Sequence, residues 1–255
     1  DPAAGPTLAR NRVLAPAGIP APRIPGSPFT LPALGAASAI LTVVSGTVNP
    51  VRVSGLDRVD WDRRPLVVAQ NHCSHVDPTV LAYVLPRSVR RRCFFLGFTD
   101  YFSAGAGGRI GRLFRIQPIA ADRGAIVGLR AATAAVRAGQ VLCIYPEGER
   151  SWDGTVLPFR RGVAWIAHAT GASVVPSAIV GTYPLLPRGG SFRRHPVRVL
   201  FGAPLDPPCG GTTADDAEFL GRLRTAIRTL VREGGGDPDR GDPGTWERGS
   251  AGERP

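Results

Sequence analysis

Two short polar stretches carry the residue types that proton transfer and anion binding need. The first is NHCSHVDP, residues 71–78, with two of the chain's four histidines, a cysteine and an aspartate. Imidazole titrates near neutral pH, so His72 suits the task of accepting a proton from an alcohol. A carboxylate on its other ring nitrogen, here Asp77, would set the tautomer and stabilise the imidazolium. The spacing allows this only if the chain turns, because on a regular helix residues five apart point about 140° away from each other. Pro78 biases Asp77 away from helical dihedrals, and Asn71 and Ser74 stand where they could brace such a turn. Two other roles fit the same letters. Asp77 also suits a helix N-cap ahead of Pro78, with His72 as an ordinary strand-end residue. His72, Cys73 and His75 are ligand types for zinc, but no fourth ligand stands at a sensible spacing, and no metal is expected.

The second stretch is YPEGERSWDG, residues 145–154. Gly148 permits a tight turn with exposed backbone N–H groups. Arg150 offers a guanidinium fork and Ser151 a hydroxyl, both good ligands for a phosphate monoester. Glu147 could orient a substrate hydroxyl or Arg150. An ordinary polar turn closed by an ion pair is the structural alternative. A third stretch, ADRG at 121–124, places Arg123 at a strand exit just before a helix, where it would strengthen an anion site.

These groups need a scaffold that ends strands beside one another. Apolar runs at 64–72, 90–98, 140–148, 172–181 and 197–205 read as strands, and 51–60 as a strand and turn. Helical patterns fall at 78–85, 125–139, 160–171 and 215–233, the last with Phe219, Leu220, Leu223, Ile227, Leu230 and Val231 at three- and four-residue steps. The alternation predicts an α/β domain with a mixed, largely parallel sheet flanked by helices. In such sheets ligands bind beyond the carboxyl ends of strands, which is where residues 71–77 and 145–151 fall.

The bulk composition sets limits. Residues 1–30 are Pro-rich and residues 234–255 are rich in Gly, Asp and Pro, and both read as disordered tails. About 200 residues remain, enough for a well-buried core. The 31 basic residues are all arginines and the net charge is +11, which suits phosphate, nucleic acid or an anionic membrane face. Little aromatic interleaving and no nucleic-acid motif argue against nucleic acid as partner. Four widely spaced cysteines without a CxxC point to a reducing compartment. Residues 24–51 carry no charge. Their centre is too mixed for a clear span, so residues 31–50 are expected to lie on or dip into a membrane.

Taken in order, these stretches resemble the glycerolipid acyltransferases, the glycerol-3-phosphate and 1-acylglycerol-3-phosphate acyltransferases. The first block reads Asn71, His72, Cys73, Ser74, His75, Val76, Asp77. The second ends at Arg123, the third is YPEGERS at 145–151, and the fourth is VVPSAIVG at 174–181. The likeness covers roughly residues 51–205. Tyr145 stands where the family usually has Phe, and Glu149 where it usually has Thr. The resemblance implies an acyltransferase domain over 51–233, with 31–50 as the membrane-associating segment. It implies that His72 acts as general base on the acceptor hydroxyl, oriented by Asp77, with direct attack on the thioester of acyl-CoA or acyl carrier protein. Asn71, Ser74, Arg123, Glu147, Gly148, Glu149, Arg150 and Ser151 would serve the acceptor's glycerol phosphate. The absence of a GxSxG motif agrees with direct transfer. Expected partners are a lysophospholipid or glycerol-phosphate substrate, the acyl donor and an anionic membrane surface at the cytoplasmic face. No tightly bound cofactor is expected. A basic run, Arg87, Arg90, Arg91 and Arg92, is a candidate for meeting headgroups, CoA phosphates or an acidic carrier, or is a solvated loop. Another lysolipid acceptor, encouraged by Glu149, and a non-catalytic binding module are the alternative functions.

Overall fold

The computed structural model describes residues 51–98, 115–119 and 125–240. Seven strands form one sheet: β1 (Val51–Ser54), β2 (Leu66–Gln70), β3 (Cys93–Phe98), β4 (Ile116–Ile119), β5 (Val141–Ile144), β6 (Ser173–Val180) and β7 (Val197–Phe201). Their spatial order is β1-β7-β6-β2-β5-β3-β4. Every neighbouring pair is parallel except β6 with β7. The mixed, largely parallel sheet expected from the alternation is therefore present. The helices are α1 (Asp77–Val84), α2 (Arg87–Arg90), α3 (Ala125–Arg137), α4 (Gly162–Thr170), α5 (Thr182–Leu185) and α6 (Thr213–Glu233).

The central strands are apolar on both sides because both sheet faces are covered. Successive residues of β2 alternate between two cores. Leu66 and Val68 pack with Val80, Leu81, Leu85 and Val89 of the α1–α2 layer. Val67 and Ala69 pack with Ala132 and Val136 of α3, Ile166 of α4, and Phe219, Leu223 and Ile227 of α6. Each such Val, Leu or Ile contributes about 1.5–3 kcal/mol by leaving water. Helix α6 starts two residues earlier than its apolar pattern suggests. Thr212 and Asp215 form a capping box that satisfies donors at its start.

The sheet has two unlike ends. The carboxyl ends of β2, β5 and β6 lead into Asn71, Tyr145 and Gly181. Because β7 is antiparallel to β6 and parallel to β1, Val197 and Val51 also lie at this end. The basic run lies at the opposite end, where β3 begins and Val141 N–H donates to the Arg92 carbonyl. There Arg90 donates to the carbonyls of Tyr83 and Leu85 at 2.6 and 3.1 Å. Arg92 donates to the Ser88 carbonyl at 3.2 Å. Cations that cap the carbonyl ends of helices explain these arginines. The topology thus puts this run at the end of the sheet away from His72. The segments 1–50 and 241–255 and residue Arg123 lie outside the described residues.

Candidate active site

The loop after β2 is built by its own side chains. Asn71 is fully buried and mimics one more rung of the sheet: its amide donates to the Ile179 carbonyl at 3.0 Å and accepts the Ile179 N–H at 2.8 Å. The chain then reverses into α1. Asp77 is the first residue of that helix rather than its N-cap, and its carboxylate folds back over the loop. One oxygen, Oδ2, accepts from the N–H groups of Cys73 and Ser74 at 2.7 and 2.8 Å. The same oxygen lies 2.8 Å from His72 Nδ1. Three donors on one carboxylate oxygen hold the side chain rigidly. With Nδ1 donating to Asp77, His72 keeps a lone pair on Nε2. Among the described residues Nε2 has no hydrogen-bond partner, and the imidazole is 16% exposed. Asp77 is completely buried.

The turn after β5 packs on this loop from the other side. The Tyr145 ring stacks on His72, with centroids 3.9 Å apart and planes 16° apart. Burial pushes its phenol well above the usual range. Glu147 is 2% exposed, and both its oxygens take backbone N–H groups: His72 at 2.9 Å and Leu157 at 3.0 Å. Burial lifts its carboxyl to about 8, against the pull of those two donors. The Ser151 N–H donates to the His72 carbonyl at 2.8 Å. His72 is thus tied to the turn at both its N–H and its C=O. Gly148 has φ +74, and a Cβ there would lie 2.5 Å from Cδ of Arg160. Arg160 covers the turn, donating to the Glu147 carbonyl at 3.2 Å and lying 3.8 Å from Glu149.

The structure therefore separates the expected acceptor contacts into two groups. Asn71, Ser74, Glu147 and Ser151 are buried and committed to the protein itself. The hydroxyl of Ser74 donates to the Leu186 carbonyl and that of Ser151 to Asp153. Of these side chains Glu147 holds His72 directly, through the His72 N–H. Gly148, Glu149 and Arg150 reach the surface of the same turn. His75 points outward beside the dyad. Partial desolvation, then Arg150 and His72, hold its imidazole below the usual range, and Arg188 adds to the effect despite the opposing pull of Asp77. The motif blocks do not reveal Arg160, which arrives from thirteen residues beyond Glu147, nor Arg188, whose guanidinium lies 3.4 Å from the centroid of the Trp152 ring. The stacked ring of Tyr145 was legible only as an aromatic at a strand end. Among the described residues no cluster of three or more His, Cys, Asp or Glu side chains is placed to hold a metal.

Comparisons with known proteins converge on one chemistry. A family profile described as Acyltransferase matches residues 50–180. The chain is 29% identical over 157 residues to the chloroplastic 1-acyl-sn-glycerol-3-phosphate acyltransferase BAT2 of Brassica napus, covering 60% of this chain and 44% of that protein. It is 30% identical over 188 residues to 1-acyl-sn-glycerol-3-phosphate acyltransferase alpha of Homo sapiens, covering 68% and 63%. It thus spans less than two thirds of the length of these curated relatives. The fold is similar to that of the 1-acyl-sn-glycerophosphate acyltransferase PlsC from Thermotoga maritima. The TM-score is 0.62 at 22% identity, over 86% of this chain and 81% of that one.

Proposed function

The chain belongs to the acyltransferase family, and from that premise we propose that it transfers a fatty acyl group from acyl-CoA or acyl carrier protein to the free hydroxyl of 1-acylglycerol-3-phosphate. The observation that carries the mechanism is the contact of His72 Nδ1 with Asp77 Oδ2 at 2.8 Å, which leaves Nε2 unpartnered among the described residues. Nε2 takes the proton of the acceptor hydroxyl as its oxygen bonds to the thioester carbonyl carbon. The C–S bond breaks, and the departing thiolate takes the proton from the imidazolium, releasing a free thiol. Asp77 carries no proton in this cycle. It orients the ring and stabilises its cation. Gly148, Arg150 and Arg123 hold the acceptor phosphate in this scheme.

The names of the relatives support this acceptor. Its acyl chain sits in a bilayer, and in this proposal the enzyme works on it as a peripheral or monotopic protein at the cytoplasmic face. Among the described residues no helix is long and apolar enough to cross a membrane. One observation favours a second acceptor class, a lysolipid without a phosphate monoester: Glu149, 52% exposed, puts a carboxylate beside Arg150. The test is thiol release from a long-chain acyl-CoA, with and without lysophosphatidate, for the wild type and His72→Ala. Acceptor-dependent release that falls by about 10² or more in the variant is expected. Equal rates would refute the dyad, and release only with another lysolipid would shift the acceptor.

A further inference from the structure

We infer that the lip of the active-site end, formed by Trp152 and the segment from Arg188 to Arg194, is a docking surface for an anionic lipid bilayer. Trp152 and Phe192 are large apolar side chains left 52% and 44% exposed. Around them stand Arg188, Arg193 and Arg194, and the segment from Gly181 to Pro196 contains no carboxylate. Aromatic rings beside arginines are the composition of a membrane–water interface, where rings enter the headgroup layer and guanidinium groups meet phosphates. The Arg188 guanidinium lies over the Trp152 ring and makes no hydrogen bond or ion pair among the described residues, so its N–H edges are available to a headgroup. Carboxylates near this end are already engaged, Asp237 among them, whose Oδ1 accepts from the N–H groups of Asp239 and Arg240. Asp153 accepts from Ser151 and Thr155, and Glu149 is paired with Arg160.

The lip is joined to the dyad on both sides. Ser74 donates to the Leu186 carbonyl at 2.7 Å, two residues before Arg188. Ser151, beside Trp152, donates through its N–H to the His72 carbonyl at 2.8 Å. The neighbouring Arg193 N–H is tied back to the Leu185 carbonyl at 2.7 Å. Docking here sets His72 at the level of the headgroups. Val51, where the preceding residues join the fold, lies at this same end.

The inference builds on the lipid-acceptor proposal but is tested without turnover. The full chain is mixed with vesicles of equal parts phosphatidylcholine and phosphatidylglycerol, and with pure phosphatidylcholine, and binding is read by co-sedimentation. Preference for the anionic vesicles, weakened by added salt, is expected. Arg193→Gln/Arg194→Gln should weaken that binding by about twenty- to thirty-fold, taking about five-fold for each arginine near the surface. Phe192→Ser should weaken it several-fold even at high salt, and Arg87→Gln/Arg91→Gln, at the opposite end of the sheet, should leave it unchanged. Equal effects of the two arginine pairs, or no effect of either, would overturn the assignment. So would binding to an acidic acyl carrier protein with none to vesicles. Vesicle binding without thiol release would sink the acyl-transfer proposal alone. Thiol release on detergent-dispersed acceptor, with no vesicle binding, would sink the docking surface alone.

Discussion

The buried carboxyl of Glu147 makes stability depend on pH in a direction opposite to that of most surface acids. Its carboxyl is lifted from 4.5 to about 8, with burial as the largest cause. In the unfolded chain it loses its proton near 4.5, whereas the folded protein keeps it until about 8. Between those values the native state binds more protons, so the stability tied to this group is fully present below about 4.5 and is lost as pH rises to about 8. The size of the effect follows from 1.36 kcal/mol per pKa unit, which gives about 5 kcal/mol across the window. That is large beside a total stability of roughly 5–15 kcal/mol. Glu147→Gln removes the titration and keeps the shape. One of the two backbone N–H groups, His72 or Leu157, then faces an amide NH₂, a loss of about 1–3 kcal/mol that does not vary with pH. Denaturant unfolding of both proteins from about pH 5 to about pH 8 separates the two effects. The wild-type advantage should be greatest at the acid end and shrink, or reverse, toward the alkaline end. A constant difference would refute the burial argument. A difference that grew with pH would show that the two N–H donors outweigh burial and hold the group as a carboxylate.

Two further substitutions separate positioning from chemistry. Asp77→Asn leaves an acceptor oxygen but removes its charge from three donors. At about 1 kcal/mol each it should cost about 3 kcal/mol by denaturant titration. Thiol release should fall by about 10² or more below the melting transition, and an unchanged rate would remove Asp77 from the mechanism. Arg90→Ala deletes two bonds to helix-end carbonyls and should cost about 1–3 kcal/mol in thermal unfolding with no change in rate. A lost rate at full stability would return the basic run to function.

How much of this was legible in the sequence depends on the range of the forces involved. Most strands and the longer helices were, because periodicity is local, whereas the four-residue helices α2 and α5 were not, and Asp77 begins α1 instead of capping it. Gly171, at φ +65, ends α4 where expected. Pro176 marks where local rules weaken. A proline argues against a central strand, yet β6 runs through it. Its backbone faces β7 just beyond the β6–β7 ladder, where only the Pro176 carbonyl is used, by Gly202 at 2.9 Å. The missing N–H therefore falls in the break between that ladder and the antiparallel Val174–Leu205 bridge.

The site was legible as a set of letters but not as a division of labour. His72 and Asp77 are five residues apart, and a local turn is enough to join them. Asn71 and Glu147 look like ligands because they are polar and adjoin the motif. Their actual partners are Ile179, 108 residues away, and the N–H of His72, 75 residues away. No local pattern distinguishes a side chain aimed at a substrate from one aimed at a distant backbone. The sheet order makes that distinction, and it also decides which arginines share an end with the dyad. Arg87 to Arg92 are nearer to His72 in sequence than Arg188 to Arg194, yet two strand polarities put the nearer run at the far end. Net charge alone suggests an anionic partner without saying where it binds. The strand directions put Trp152 and Arg188 at the same end of the sheet as His72, which is why the proposed docking surface is sought there.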